Sequence, residues 1–325
     1  MIYKNLFKEV LLNPIDEGAD QLKIISGYAS ASMASRHLEE ALRKNNKLKI
    51  DLTIGMVPKD GIAISNHLAF KDILESEKFK NNFSCNYLYQ KAPVHTKLFL
   101  WFQSTKFHSA YIGSANYSQL AFSTKQRELM CISENKNLID YYLDIEKDTI
   151  DISHSEIEEH VKILSDKNYY NNFKALDNDE VNDSVTESYQ ETVSVPLYSL
   201  QLDEVQKKGG LNWGQRKGRN PNQAYIQLTP EIYKSNFFPK RPAQFTVLTD
   251  DFKSLLCVRA QKEKYGGQAI ETTLNNAHLG EYFRMRMKLS SGAPIWKEDL
   301  IKYGRTNVTF IKIDDETYYM DFSVE

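Results

Sequence analysis

Pro93-Val94-His95-Thr96-Lys97-Leu98-Phe99-Leu100-Trp101 is followed, after a short gap, by Ala110-Tyr111-Ile112-Gly113-Ser114-Ala115-Asn116. Residues two apart in an extended strand project from the same face. His95 and Lys97 are therefore expected side by side at the head of an apolar strand. The second run, residues 108–112, ends in Gly113-Ser114, with Asn116 just beyond. If the two runs form a hairpin, a histidine, a lysine, a hydroxyl and an amide gather at one end of a sheet. That set suits a transferring phosphoryl group.

Outward from this stretch, strands alternate with helices. Residues 23–30 read as a buried strand ending in Gly27-Tyr28-Ala29-Ser30. Residues 32–45 read as a helix, with Ser32 as N-cap and Asn45-Asn46 as its stop. Residues 48–57 form a second strand closed by Pro58-Lys59-Asp60-Gly61. A helix over 62–80, a strand over 86–89 and a strand over 128–132 follow. Residues 2–12 and 137–163 are expected to be helical. Such alternation implies an α/β domain with a mixed sheet and flanking helices. Residues 166–206 are acidic and polar, with too little apolar content for a core, and read as a linker. From 211 onward the texture changes to short β-like runs at 224–228, 244–248, 254–259, 269–273 and 308–313. Thr249-Asp250-Asp251 serves as a hairpin turn. This pattern suggests an all-β, barrel-like domain.

The net charge of −2 conceals a partition. Residues 1–133 carry 17 basic and 12 acidic side chains, residues 134–206 carry 5 and 18, and residues 211–310 carry 16 and 8. Two basic blocks around an acidic stretch fit a polyanion-binding protein. No window approaches a membrane-spanning apolar run, and the N-terminus lacks a signal-peptide pattern. Cys85, Cys131 and Cys257 are scattered, which argues against a disulfide framework or a zinc site. The expectation is a reduced, cytoplasmic protein.

A phosphodiester repels nucleophiles through its anionic oxygens. Histidine can split its hydrolysis into two easier steps through a covalent phospho-intermediate. Lysine, hydroxyl and amide donors stabilise the charge that develops on the phosphorus oxygens. A carboxylate on the far imidazole nitrogen fixes the tautomer, and Glu128 is the candidate for that role. His37, His67, His154 and His160 read as helix-surface residues, and His108 opens the hairpin strand.

His95-Thr96-Lys97 and Gly113-Ser114-Ala115-Asn116 resemble the H-x-K and G-S-x-N halves of the phospholipase D superfamily signature. Residues 23–30 resemble the first-strand region of its nuclease members. The resemblance implies His95 as nucleophile, Lys97, Ser114 and Asn116 as phosphate binders, and Glu128 as the acid that orients the histidine, with no metal or other cofactor. One departure counts against a lipid hydrolase: many members carry an aspartate five residues after the lysine, where this chain has Phe102. Members with a single H-x-K pair two subunits, so the resemblance also implies a homodimer in which one histidine attacks while the other protonates the leaving oxygen.

In the second half, Asn212, Trp213, Gln215, Arg216, Lys217, Arg219 and Asn222 fall within one Gly-broken segment, and Lys264, Asn275, Asn276 and Arg284 form a second cluster. Arginine and lysine pair with guanine, and asparagine and glutamine with adenine, in the major groove. The whole chain is similar to the NgoFVII-type restriction endonucleases. The expected architecture is a phospholipase D-like catalytic and dimerisation domain over 1–165, the linker, and a pseudobarrel DNA-recognition domain over 207–325 like that of the plant B-three transcription factors. The expected function is that of a type II restriction endonuclease on specific double-stranded DNA, through a phosphohistidine. Two other readings stand beside it: another phospholipase D-type phosphodiesterase, and a non-catalytic sequence-specific DNA-binding protein.

Overall fold

The computed structural model describes residues 1–123, 126–166, 191–261 and 267–324. The chain divides into two compact units, Met1–Asp183 and Ser184–Glu325. Among the described residues no helix is long and apolar enough to cross a membrane.

The first unit is built on a seven-stranded mixed sheet. Its strands are β1 (Gln21–Ser26), β2 (Lys49–Ile54), β4 (Phe83–Leu88), β5 (Leu98–Gln103), β6 (Lys106–Gly113), β7 (Met130–Ser133) and β8 (Thr149–Asp151), in the order β7-β6-β5-β1-β2-β4-β8. A separate parallel pair joins β3 (Ile62–Ala63) to β9 (Ile163–Leu164). β1, β2 and β4 run parallel, whereas β5, β6 and β7 alternate antiparallel. β5 reads Leu98-Phe99-Leu100-Trp101-Phe102 and is buried along all five residues. Such an unbroken apolar run belongs to a central strand covered on both faces. Leu98, Leu100 and Phe102 join Tyr142 and its neighbours from the helix Asn137–Glu146. The alternate Phe99 meets Tyr117 and Phe122, and the Trp101 indole donates to the Val10 carbonyl at 2.9 Å.

Several local expectations are corrected. The helix over 32–45 spans Ala31–Lys44, and its cap is Ser30, whose hydroxyl accepts from the Met33 amide at 3.3 Å. Residues 137–163 do not form one helix. The helix stops at Glu146, and β8 then joins the sheet edge beside β4. His37 and His67 are not on the surface but fully buried. The His37 Nε2–H donates to the Leu11 carbonyl at 3.1 Å, which leaves Nδ1 to accept from the Tyr117 hydroxyl at 2.8 Å. Burial lowers both imidazoles to about 4.

The second unit carries β10 (Thr192–Pro196), β11 (Ile226–Gln227), β12 (Gln244–Thr249), β13 (Ser254–Ala260), β14 (Ala269–Thr272), β15 (Asn307–Lys312) and β16 (Thr317–Asp321), in the order β10-β15-β16-β12-β13-β14-β11. The edge strands β10 and β11 approach each other, so the sheet curls into a nearly closed barrel. β12 and β13 form the expected hairpin, and β12 is parallel to β16. The interior is filled by Phe238, Phe245, Phe310 and Tyr318, with ring centroids 5.0–5.4 Å apart around Phe238. Burial of one such ring stabilises the unit by about 2–3 kcal/mol. The strand β10, read from sequence as linker, pairs with β15 and so belongs to this barrel. Its alternating Thr192-Val193-Ser194-Val195 packs one face inward, which the acidic composition around it masks. Residues 167–190 of the linker lie outside the described residues, as does Lys264.

Candidate active site and nucleic-acid interface

The strand directions of the first sheet bring five separate segments to one end. These are the residues just after β1, after β2 and after β6, and just before β5 and before β7. His95 and Lys97 precede β5, Ser114 and Asn116 follow β6, and Glu128 precedes β7. All five sequence candidates thus lie at the same end of the sheet. His95 and Lys97 lie ahead of the strand rather than within it. The Val94 amide donates to the Gly55 carbonyl at 2.9 Å, which ties this segment to the end of β2.

The approach is close enough to require two glycines. A Cβ on Gly55 would fall on the Val94 carbonyl oxygen, and a Cβ on Gly27 would lie 2.7 Å from His95 Cδ2. The His95 ring therefore rests against the backbone at the end of β1. The Tyr28 ring meets it in a T-shaped contact, with ring centroids 5.8 Å apart and planes at 76°. The Tyr28 amide donates to Asn116 Oδ1 at 3.2 Å, and the Tyr28 hydroxyl donates to Asp60 Oδ2 at 2.7 Å. Lys97 is buried, and its ammonium donates to the His95 carbonyl at 2.7 Å. The Ser114 hydroxyl donates to Glu128 Oε2 and accepts from the Leu129 amide at 3.1 Å.

Two expectations change here. Glu128 engages Ser114, and no hydrogen bond joins it to His95 among the described residues. Tyr28 and Asp60, to which sequence reasoning assigned no role, stand closer to the imidazole. The signal available for them was the Gly27-Tyr28 pair directly after the first strand. His108, by contrast, sits near the far end of β6, with Nε2 3.6 Å from Glu17. Phe102 is likewise remote from the site, packed edge-on to Phe107.

The electrostatics favour a neutral imidazole beside a cation. Burial lowers the His95 pKa, the Lys97 and Lys59 charges lower it further, and Asp60 opposes them. Burial also lowers the Lys97 pKa, against the pull of Glu128. Among the described residues no group of three His, Cys, Asp or Glu side chains could hold a metal ion.

In the second unit, Trp213, Gln215, Arg216, Lys217 and Arg219 surround an exposed turn whose apex, Gly218, has φ +80°. The Arg219 guanidinium stacks 4.0 Å from the centre of the Trp213 ring and donates to Gln223 at 3.1 Å. Arg216 donates to the Lys208 carbonyl at 2.8 Å, and Gln215 donates to the Gly292 carbonyl at 2.9 Å. Arg219 and Arg241 both act electrostatically on Glu271, which places them over the same patch. Asn275 is exposed and Asn276 half-buried beside it.

Three of the sequence candidates for DNA contact are corrected. Asn212 is fully buried, donating to the Ile295 carbonyl at 2.7 Å and accepting from the Ile295 amide at 2.8 Å. Asn222 is buried between Ser291 and Gly292 and uses both ends of its amide there. Arg284 is 1 % exposed and donates to the carbonyls of Ala293, Gly280 and Leu211. Their hydrogen-bonding capacity is spent inside the fold, because a buried amide or guanidinium needs internal partners.

Comparison with known proteins follows the same division. Residues 4–159 match the NgoFVII restriction endonuclease N-terminal PLD domain, and residues 188–314 match the NgoFVII C-terminal B3-like DNA-binding domain. Similar solved structures include Nuc, a phospholipase D family member from Salmonella typhimurium, at 15% identity over 43% of this chain and 87% of that one, with a TM-score of 0.33. NucT from Helicobacter pylori is 17% identical over 46% of this chain and 96% of its own, with a TM-score of 0.32. Polyphosphate kinase from Porphyromonas gingivalis is 15% identical over 44% of this chain and 20% of its own, with a TM-score of 0.28. A search of curated protein sequences finds no match. With both domains of the family present in order and covering most of its length, the chain belongs to the NgoFVII restriction endonuclease family.

Proposed function

We propose that this chain is a cytoplasmic type II restriction endonuclease that cleaves specific double-stranded DNA through a covalent phosphohistidine at His95, without a metal, as a homodimer. The observation that carries this reading is the gathering of His95, Lys97, Ser114 and Asn116 at one sheet end, where burial and the neighbouring Lys97 ammonium lower the His95 pKa. A neutral imidazole nitrogen has the lone pair needed to attack phosphorus. The new P–N bond forms as the P–O bond to the leaving sugar oxygen breaks. Lys97 and the Asn116 amide offset the charge that grows on the phosphoryl oxygens, joined by the Ser114 hydroxyl when it turns from Glu128 to the phosphate. The leaving oxygen takes its proton from His95 of the partner subunit, which enters the cycle as the imidazolium, so that the two histidines share one extra proton; once neutral, it draws a proton from the water that hydrolyses the phosphohistidine. Because each chain contributes one His95, the twofold axis of a symmetric dimer supplies the second imidazole. The exposed basic turn around Gly218 supplies groove and phosphate contacts for recognition.

The test is a digest of random-sequence DNA in EDTA, with fragment ends sequenced. Wild-type protein cuts at a defined sequence, and His95→Ala retains specific binding without cutting. A strict requirement for divalent metal would sink the mechanism.

A further inference from the structure

Glu128 being committed to Ser114, the chain needs another device to hold the His95 ring. We propose that Tyr28 and Asp60 form a positioning pair that seats the His95 imidazole for attack on phosphorus; this rests on the reading of His95 as nucleophile. Neither residue touches the reacting atoms, so both act through the ring.

The pair is built from two loops that the fold forces together. Tyr28 follows β1, and Asp60 closes the short helix Val57–Asp60 after β2, where Gly61 turns the chain at φ +71°. Met56 and Gly27 are joined by a backbone hydrogen bond of 3.0 Å, so the two loops cannot drift apart independently. The Tyr28 hydroxyl is fixed on Asp60 Oδ2, and its ring makes a T-shaped contact with the imidazole. The bare Gly27 also lies against the ring and leaves no spare room at Cδ2. The ring is thus set in azimuth without using either imidazole nitrogen. One nitrogen is left to attack and the other to meet an orienting acid. The Tyr28 amide holds Asn116 as well, so one residue places the nucleophile and a phosphate donor in common register.

The charge of Asp60 matters separately. The charged groups that act on His95 are Lys97 ahead of β5, and Asp60 and Lys59 after β2. Glu128 acts on Lys97, and Tyr28 faces the ring as a phenol kept protonated by burial and by its bond to Asp60. Asp60 is the one anion in this set that acts directly on the imidazole.

Tyr28→Phe and Asp60→Asn separate geometry from charge. Both are expected to lower single-turnover kcat by about 10- to 100-fold, the effect of a misplaced reacting group, with KM and DNA affinity unchanged. Asp60→Asn also moves the acidic limb of kcat/KM to lower pH, because loss of an anion disfavours the imidazolium. Histidine-selective carbon labelling, with the His95 signal assigned by its disappearance in His95→Ala, reads the same downward shift without reference to activity. The Tyr28→Phe/Asp60→Asn double variant loses no more than the worse single one. Wild-type kcat in both single variants would overturn the pairing, as would lost activity with the His95 titration unmoved. If His95→Ala still cuts DNA, the nucleophile reading falls instead, and the titration still reports whether Asp60 acts on His95.

Discussion

Glu128 accepts a hydrogen bond from the Ser114 hydroxyl, and this pairing keeps its carboxylate in electrostatic reach of Lys97 instead of against His95. The acid therefore supports the cation of the site within this chain. Burial works to discharge Lys97, and Glu128 is the charge that resists it.

Glu128→Gln is expected to leave Lys97 easier to deprotonate. The alkaline limb of kcat/KM, where the ammonium is lost, then moves to lower pH, while an amide oxygen still accepts from Ser114. A pH–rate profile of the variant checks this. An alkaline limb that stays in place would show that Lys97 owes nothing to Glu128.

Gly27→Ala tests the seat of the imidazole. The new methyl lies 2.7 Å from His95 Cδ2, so the ring must shift. Cleavage is expected to fall about 10- to 100-fold with DNA affinity retained. Gel shift and single-turnover cleavage separate the two. A variant as active as wild type would mean that the ring position is not critical.

Lys217 is exposed on the basic turn of the second unit and is expected to contact phosphate. Lys217→Ala should weaken binding evenly across sequences and reduce the slope of log K against log salt by about 1. A change in sequence preference with an unchanged slope would assign Lys217 to base reading.

Asn212→Leu should act on stability, not on base choice. It leaves the Ile295 amide and carbonyl buried without partners, at roughly 1–3 kcal/mol for each group. Thermal unfolding of the second unit is the measurement. Relaxed specificity at unchanged stability would restore Asn212 to the recognition surface.

His37 makes the first unit sensitive to acid. Its pKa is about 4 in the fold and near 6.5 in the open chain, so the unfolded state binds the extra proton between those values. Its contribution is complete above pH 6.5 and is lost as pH falls to 4, by about 3 kcal/mol at most. In urea titrations the stability gap between wild type and His37→Asn should narrow over that window. Parallel pH curves would contradict it.

The sequence made the catalytic half legible where a side chain's direction follows from strand period and chain order. β5 is an unbroken apolar run, so its central place in the sheet and the position of His95 and Lys97 at its head could be read directly. Glu128 was found, but its partner was not. A loop joins β6 to β7, and which side chain a carboxylate meets across such a loop depends on tertiary placement. Tyr28 was read as part of a strand end, since nothing local reveals that its hydroxyl reaches Asp60. In the second half, Asn212, Asn222 and Arg284 have the residue types that read DNA. The same types also satisfy buried carbonyls and amides, and composition cannot separate the two uses. β10 was lost in acidic surroundings because its pattern covers only five residues.

The buried amides of Asn212 and Asn222 bridge segments far apart in the chain, 212 to 295 and 222 to 291–292. They bracket the basic turn on both sides. The base of that turn is consequently ordered when the barrel folds, before any DNA arrives. Little conformational entropy remains to be lost on encounter, and a preformed tip cannot remould itself around a wrong site. Discrimination between cognate and near-cognate DNA should then reside in how fast the protein leaves, with arrival rates nearly alike.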